Sequence, residues 1–215
     1  MKNDYIIRKE TESDYFEVEN LTREAFWNVY RPGCLEHFVL HRYRSLPGFV
    51  PELSLCLVKD GKIIGHVMYA HSEIASDDGR KIPIMTFGPI SIAPNFKRKG
   101  YGTILLRYSM EKAKEMGCKA LAITGNIDFY GKSGFVVAST RGLHYYAEPR
   151  EAEVPYFLVK ELEEGFLDNI SGTYSDPEAY NCEGIDISEY EAKFPPKEKK
   201  VLPGQLFSDD SNHLK

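Results

Sequence analysis

The stretch from Gly88 to Thr103 constrains this chain most. It reads Gly-Pro-Ile-Ser-Ile-Ala-Pro-Asn-Phe-Lys-Arg-Lys-Gly-Tyr-Gly-Thr. An apolar strand enters it from about Ile82 to Ile92, interrupted by Pro83, Gly88 and Pro89. Proline has no N–H to give to a ladder, so this strand is expected to be bulged or unpaired along part of one side. A basic turn follows, and Gly100 and Gly102 then open a helix that ends at Met116-Gly117. The first turn of a helix carries unsatisfied N–H groups at the positive end of its dipole, a natural seat for phosphate. Glycine lets the backbone approach such a ligand with no Cβ in the way. Lys97, Arg98 and Lys99 place positive charge at the same point. The combination suits a pyrophosphate. It is not a P-loop, since no Gly-Lys-Ser/Thr is present, and a bare Gly-x-Gly without an enclosing βαβ unit is not a dinucleotide fingerprint. On these residues alone, a glycine pair that merely shapes a strand–helix turn is the competing reading.

The rest of the chain supplies the frame. Residues 5–8 read as a short strand. Thr11 or Ser13 caps a helix whose apolar face is Tyr15, Val18, Leu21, Ala25 and Val29, broken by Pro32-Gly33. A second amphipathic helix runs from about Leu35 to Leu46. Leu53 to Val58 and Ile63 to His71 form a hairpin about the turn signal Asp60-Gly61. After the glycine-opened helix come a buried strand at Ala120–Thr124, one or two helical turns at Asp128–Ser133, and strands at Phe135–Ala138 and Val154–Lys160. The order β-α-α-β-β-β-α-β-α-β-β predicts an α/β domain with a mixed sheet of about seven strands flanked by helices, spanning residues 1–161.

Residues 162–215 differ. They carry five Lys against twelve Asp and Glu, whereas residues 1–161 carry 22 basic and 20 acidic side chains, within a net charge of −5 for all 215 residues. They also hold Phe166, Tyr174, Tyr180, Tyr190, Phe194 and Phe207. Disordered tails are poor in aromatics, so this acidic extension is expected to pack on the domain. An acidic chain is a poor general binder of nucleic acid. No stretch approaches the roughly 20 apolar residues of a membrane span, and the N-terminus runs straight into charged sequence without a signal peptide. Cys34, Cys56, Cys118 and Cys182 stand far apart and read as reduced thiols of a cytoplasmic protein; with the six histidines they form no metal-ligand cluster.

Lys97-x-x-Gly100-x-Gly102 after a proline-interrupted strand resembles the acetyl-CoA signature of the GNAT superfamily of N-acetyltransferases, [Gln/Arg]-x-x-Gly-x-[Gly/Ala], with Lys97 where Gln or Arg is usual. Asn126-Ile-Asp-Phe129-Tyr130-Gly-Lys-Ser-Gly134-Phe135 resembles that family's second hallmark in its Tyr-x-x-x-Gly-Phe core, with Tyr130 closer to Asn126 than the full pattern has it. Pro51-Glu52-Leu53-Ser54 and Gly65-His66 resemble a bacterial branch of predicted acetyltransferases, and the resemblance covers about residues 5–161. It implies the GNAT-like acyl-CoA N-acyltransferase fold and direct transfer of an acetyl group from acetyl-CoA to a primary amine of a small molecule or protein.

The resemblance also implies the roles. Acetyl-CoA would lie between the strand at Phe87–Ile92 and the strand at Ala120–Thr124. Backbone groups of Ile90 and Ile92 would pair with its pantetheine amides, and Ser91, Lys97, Arg98, Lys99, Gly100, Tyr101, Gly102, Thr103, Asn126 and Phe129 complete the contact set. An ammonium with a pKa near ~10.4 must lose a proton before it attacks. The oxyanion needs a donor, an N–H near Ile90. The leaving thiolate, of a thiol with pKa near ~8.5, needs a proton, and Tyr130 matches the family tyrosine that supplies it. Glu52, just before a strand, is the first candidate for general base; His66, His71, Glu24 or a water chain are the alternatives. Trp27, Tyr30, Phe38 and Tyr43 could border the acceptor side. A non-catalytic acyl-CoA-binding module is the second functional reading, and a homodimer is expected from family resemblance alone.

Overall fold

The computed structural model describes residues 4–182 and 184–206; Phe207 lies outside that range. The elements run β1 (Tyr5–Lys9), α1 (Tyr15–Phe26), α2 (Glu36–Tyr43), β2 (Phe49–Lys59), β3 (Lys62–Ser76), β4 (Lys81–Ile92), α3 (Tyr101–Glu115), β5 (Ala120–Thr124), α4 (Ile127–Tyr130), β6 (Val136–Val137), β7 (Leu143–Tyr145), β8 (Phe157–Glu161), β9 (Gly172–Tyr174) and α5 (Ser188–Glu191). The sheet order is β1-β2-β3-β4-β5-β8-β6, and β9 pairs with both β3 and β7. The pairing is antiparallel except between β4 and β5 and between β7 and β9.

Local chemistry explains these elements. Asp14 accepts hydrogen bonds from the Thr11 N–H and hydroxyl, 2.8 and 2.7 Å, forming a capping box for the 3-10 turn Glu12–Asp14 that runs into α1. Trp27 then leaves helical geometry at ψ 122°, and the Asn28 N–H bonds the Gly33 carbonyl at 2.8 Å instead of continuing the helix. Val29, expected on the apolar face of α1, therefore lies beyond its end and is exposed. Asp60 and Gly61 both take positive φ, 49° and 74°, as a two-residue hairpin turn requires.

The alternation of β-strand side chains builds two faces. Leu55, Leu57, Val67, Tyr69, Met85, Phe87, Leu121 and Ile123 pack with Leu105, Leu106 and Met110 of α3. Cys56, Met68 and Ala70 face the other way, onto Val18 and Leu21 of α1 and Val39 and Leu40 of α2. Fully buried leucines such as Leu105 and Leu40 each contribute about 1.5–3 kcal/mol of burial free energy.

Among the described residues the sheet has nine strands, not seven. The two additions, β7 and β9, are three residues long, too short for a periodic signal. The strand expected at Phe135–Ala138 is only Val136–Val137, because Ala138–Arg141 turn into a 3-10 helix. β9 belongs to the acidic extension and extends the sheet where β2 stops: β2 pairs with β3 up to Phe49↔Ala70, and β9 takes over at Ile74↔Tyr174. Farther along, the Tyr190 hydroxyl lies 2.9 Å from Glu19 Oε2 and 3.0 Å from the His37 carbonyl, and Phe194 stacks on Phe16 at 5.2 Å.

Candidate active site

Two strands part in the middle of the sheet. The ladder between β4 and β5 is a single pair, Met85↔Leu121, although both strands continue. On its other side β4 pairs with β3 as far as Gly65↔Ile92. The Ala93 N–H bonds the Ile64 carbonyl at 2.9 Å. Backbone groups alternate sides along an antiparallel ladder. Ser91 therefore points its N–H and C=O at His66 of β3, while Ile90 and Ile92 point theirs toward β5, where the ladder has already ended. The wedge offers unmatched strand groups at Ile90 and Ile92, the two positions that the family resemblance implies for the pantetheine arm.

The far end of the wedge suits an anion. Gly100 caps α3 in the left-handed region, φ 86°, and a Cβ built there would meet no atom within 4 Å. The first α3 hydrogen bond of this turn, from the Ile104 N–H to the Gly100 carbonyl, leaves the N–H groups of Tyr101, Gly102 and Thr103 without intrahelical acceptors. A Cβ on Gly102 would lie 3.5 Å from Phe129, so the α4 segment closes against the α3 start. An open cradle of free N–H groups with Arg98 and Lys99 exposed beside it fits a pyrophosphate.

Four of the expected contact residues have side chains engaged elsewhere. The Ser91 hydroxyl is buried and hydrogen-bonded to the Thr22 hydroxyl at 2.8 Å, tying β4 to α1. Lys97 donates to the Ala25 carbonyl at 2.6 Å, so it holds the turn to the end of α1, and desolvation lowers its pKa. Tyr101 packs edge-on to Tyr5 and Phe96. Asn126 caps α4 by accepting from the Asp128 N–H at 2.8 Å.

Tyr130 sits at the mouth of the wedge. Its ring lies so close over Gly125 that a Cβ there would collide with it, and it packs against Phe129, Phe135 and Phe87. Among the described residues its hydroxyl has no hydrogen-bond partner. Burial pushes its pKa well above the ordinary phenol range, and the charge of Tyr30 adds to the shift. A phenol so placed stays protonated and can donate.

The base candidates scatter. Glu52 is exposed on β2, and its carboxylate faces Lys9 of the edge strand at 3.8 Å, two strands from β4. His66 is buried, with Nε2 3.1 Å from the Ser54 hydroxyl and 3.4 Å from Glu10 Oε1. Glu10 is in turn paired with Arg44 at 2.7 Å. His71 is exposed. Glu24 pairs with Lys197 at 2.9 Å. None of the four meets Tyr130 or the unmatched edge of β4 in a recorded contact.

The structure brings to the wedge residues that motif reasoning did not assign. Tyr180 of the extension lays its hydroxyl against Gly88, 2.7 Å from where a Cβ would stand. Beside it lie Tyr43, Tyr174 and Asp176. The signal available in the sequence was the aromatic content of an otherwise acidic tail. Among the described residues no group of three or more His, Cys, Asp or Glu could hold a metal ion, and no helix is long and apolar enough to cross a membrane.

Residues 14–135 match the model of the acetyltransferase (GNAT) family. An uncharacterized N-acetyltransferase of Escherichia coli K12, YjhQ, is 28% identical over 86 residues, 40% of this chain; the match spans 46% of that relative's length, less than half. Among solved structures, the GNAT-family N-acetyltransferase YhbS of Escherichia coli, in complex with CoA, superposes with a TM-score of 0.71 at 21% identity, over 83% of this chain and 92% of that one. A GNAT-family acetyltransferase of Brucella melitensis, in complex with acetyl-CoA, gives 0.66 at 21% identity, over 82% and 98%. At that identity the likeness concerns the fold.

Proposed function

The chain belongs to the GNAT family of acetyltransferases, and from that premise we propose that it transfers an acetyl group from acetyl-CoA directly to a primary amine. The observation that carries this reading is the wedge itself. Unmatched backbone groups of Ile90 and Ile92 lead from an open helix N-terminus at Gly100 to the phenol of Tyr130. That two structures of this fold are complexes with CoA and acetyl-CoA supports it.

Acetyl-CoA would supply an activated acetyl thioester. The chain's own residues do the rest. The N–H groups of Tyr101, Gly102 and Thr103 hold the pyrophosphate, with Arg98 and Lys99 adding charge at the rim. Ile90 and Ile92 fix the pantetheine arm as if it were a further strand, and the Ile90 N–H is the donor nearest the point where negative charge develops on oxygen. Tyr130 Oη, kept protonated by its apolar surroundings, provides the proton that the departing sulfur needs. Ser91 and Lys97 contribute by fixing β4 and the turn to α1.

Tyr130→Phe tests the assignment. It keeps the ring packing and removes one hydroxyl. The expected outcome is a fall in turnover of roughly 100-fold, within the range for loss of a general acid, with acetyl-CoA affinity preserved. Unchanged turnover removes Tyr130 from the mechanism. Tight acetyl-CoA binding with no turnover on any amine would instead mark a binding module.

A further inference from the structure

Asp176 is an unusual carboxylate in this molecule. Several other deeply placed acids have arginine partners: Glu10 and Glu19 share Arg44, Asp14 pairs with Arg8, and Glu191 pairs with Arg23. Asp176 is half-buried and, among the described residues, has no cationic partner; its recorded hydrogen bond is from the Tyr145 hydroxyl. Six tyrosines from four separate parts of the fold lie within its electrostatic reach: Tyr145 and Tyr146 at the end of β7, Tyr156 before β8, Tyr174 and Tyr180 of the extension, and Tyr43 of α2. The rings of Tyr146, Tyr156 and Tyr174 pack on Tyr145 with centroids at 5.1, 5.8 and 6.4 Å, and Tyr43 packs edge-on to Tyr180 at 5.5 Å. Burial raises the carboxyl above its ordinary range, and the Tyr145 hydroxyl pulls it partly back.

The collar adjoins the wedge. Tyr180 Oη touches Gly88, which lies beyond the point where the β4–β5 ladder stops. Thr86 and Ser72 on the same sheet face are hydrogen-bonding neighbours of Tyr174. Leaving a part-buried carboxylate without countercharge is costly, and tyrosine faces attract cations. A half-buried carboxylate set among tyrosine rings, with no countercharge among the described residues, has the chemistry of a receptor for an organic ammonium.

We propose that Asp176 and its tyrosine collar are the acceptor half of the active site, receiving a cationic primary amine and taking the proton that must leave before the amine can attack. The proposal rests on the acetyltransferase reading for its reaction. In the proton step, R–NH3+ and the Asp176 carboxylate become R–NH2 and the neutral acid. One N–H bond breaks, its electron pair stays on nitrogen as the nucleophilic lone pair, and one O–H bond forms. The acid later returns the proton to solvent. The extension is then a working part of the site and selects ammonium-bearing acceptors over neutral or anionic ones.

The test uses the full chain without acetyl-CoA. Saturation-transfer NMR is run with n-butylamine, an ammonium at neutral pH, and with 1-butanol as its neutral counterpart; acetyl-CoA is titrated separately by calorimetry. The parent should bind butylammonium in preference to butanol. Asp176→Asn should weaken the ammonium by roughly tenfold or more, as loss of a partly desolvated charge partner does, and leave butanol and acetyl-CoA unaffected. Tyr146→Ser, at a side chain 53% exposed, removes one wall of the collar with little burden on folding, and should weaken the ammonium too, so the proposal stays testable if Asp176→Asn does not fold. A parent with no preference for the ammonium, or variants that bind it as the parent does, would overturn the proposal. Failure of acetyl-CoA to bind while the ammonium result holds would overturn the reaction and leave the ammonium site standing.

Discussion

At Gly88 a φ of 141° and a contact with the Tyr180 hydroxyl leave no room for a side chain. Gly88→Ala should therefore lower stability by about 1–3 kcal/mol, the range for a strained backbone residue, and should separate Tyr180 from β4. Thermal melts of Gly88→Ala alone and combined with Tyr180→Phe would show it, since removing the hydroxyl should recover part of the loss. The residues that make the wedge were legible because their chemistry is local. Gly100 needs a positive φ, Pro89 cannot pair, and Tyr130 stands in a contiguous motif. Side-chain direction was not legible in the same way. Ser91 and Lys97 belong to the right segment, yet their polar atoms meet Thr22 and Ala25 of α1, partners about 70 positions away in sequence. Glu52 was chosen for its place before a strand, and nothing local reveals that its neighbour is Lys9.

Among the elements, the ends of β1 and α2 are joined to β2 and β3 by one buried polar network of Glu10, Arg44, Ser54 and His66. Desolvation alone would raise the Glu10 carboxyl, but His66 and Arg44 outweigh it and hold the pKa at about 2, below the usual 4.5. A depressed carboxyl pKa stabilises the folded state above its unfolded value, and the contribution is lost as pH falls from about 4.5 toward 2. Glu10→Gln should cost about 2–4 kcal/mol at pH 7, leaving Arg44 underpaired, and should flatten the acid limb of stability between pH 5 and 3. Denaturant titrations across that range measure both; an unchanged acid limb would mean that Glu10 does not carry the effect. Elements with many periodic residues, such as α3 and the β2–β3 hairpin, were readable from pattern. β7 and β9 were not, because three residues carry no periodicity and their pairing partners come from distant segments.

For the molecule as a whole, the extension decides how much of the chain works as one unit. β9 pairs with β3, Tyr190 and Phe194 pack on α1 and α2, and Lys197 reaches Glu24. Limited proteolysis of the full chain should spare residues up to about 195 as long as the rest of the domain resists; early removal of everything beyond residue 165 without loss of melting temperature would show the extension to be separable. The central claim is that the β4–α3 wedge binds acetyl-CoA at Gly100. Calorimetric titration with acetyl-CoA of the parent, Gly100→Ala and Gly100→Glu tests it most directly, since both variants carry the same backbone strain at φ 86° and differ in bulk and charge. Binding by the parent, near-parent binding by the alanine variant and loss in a still-folded glutamate variant is the predicted result. Equal binding by all three, or none by the parent, would contradict it.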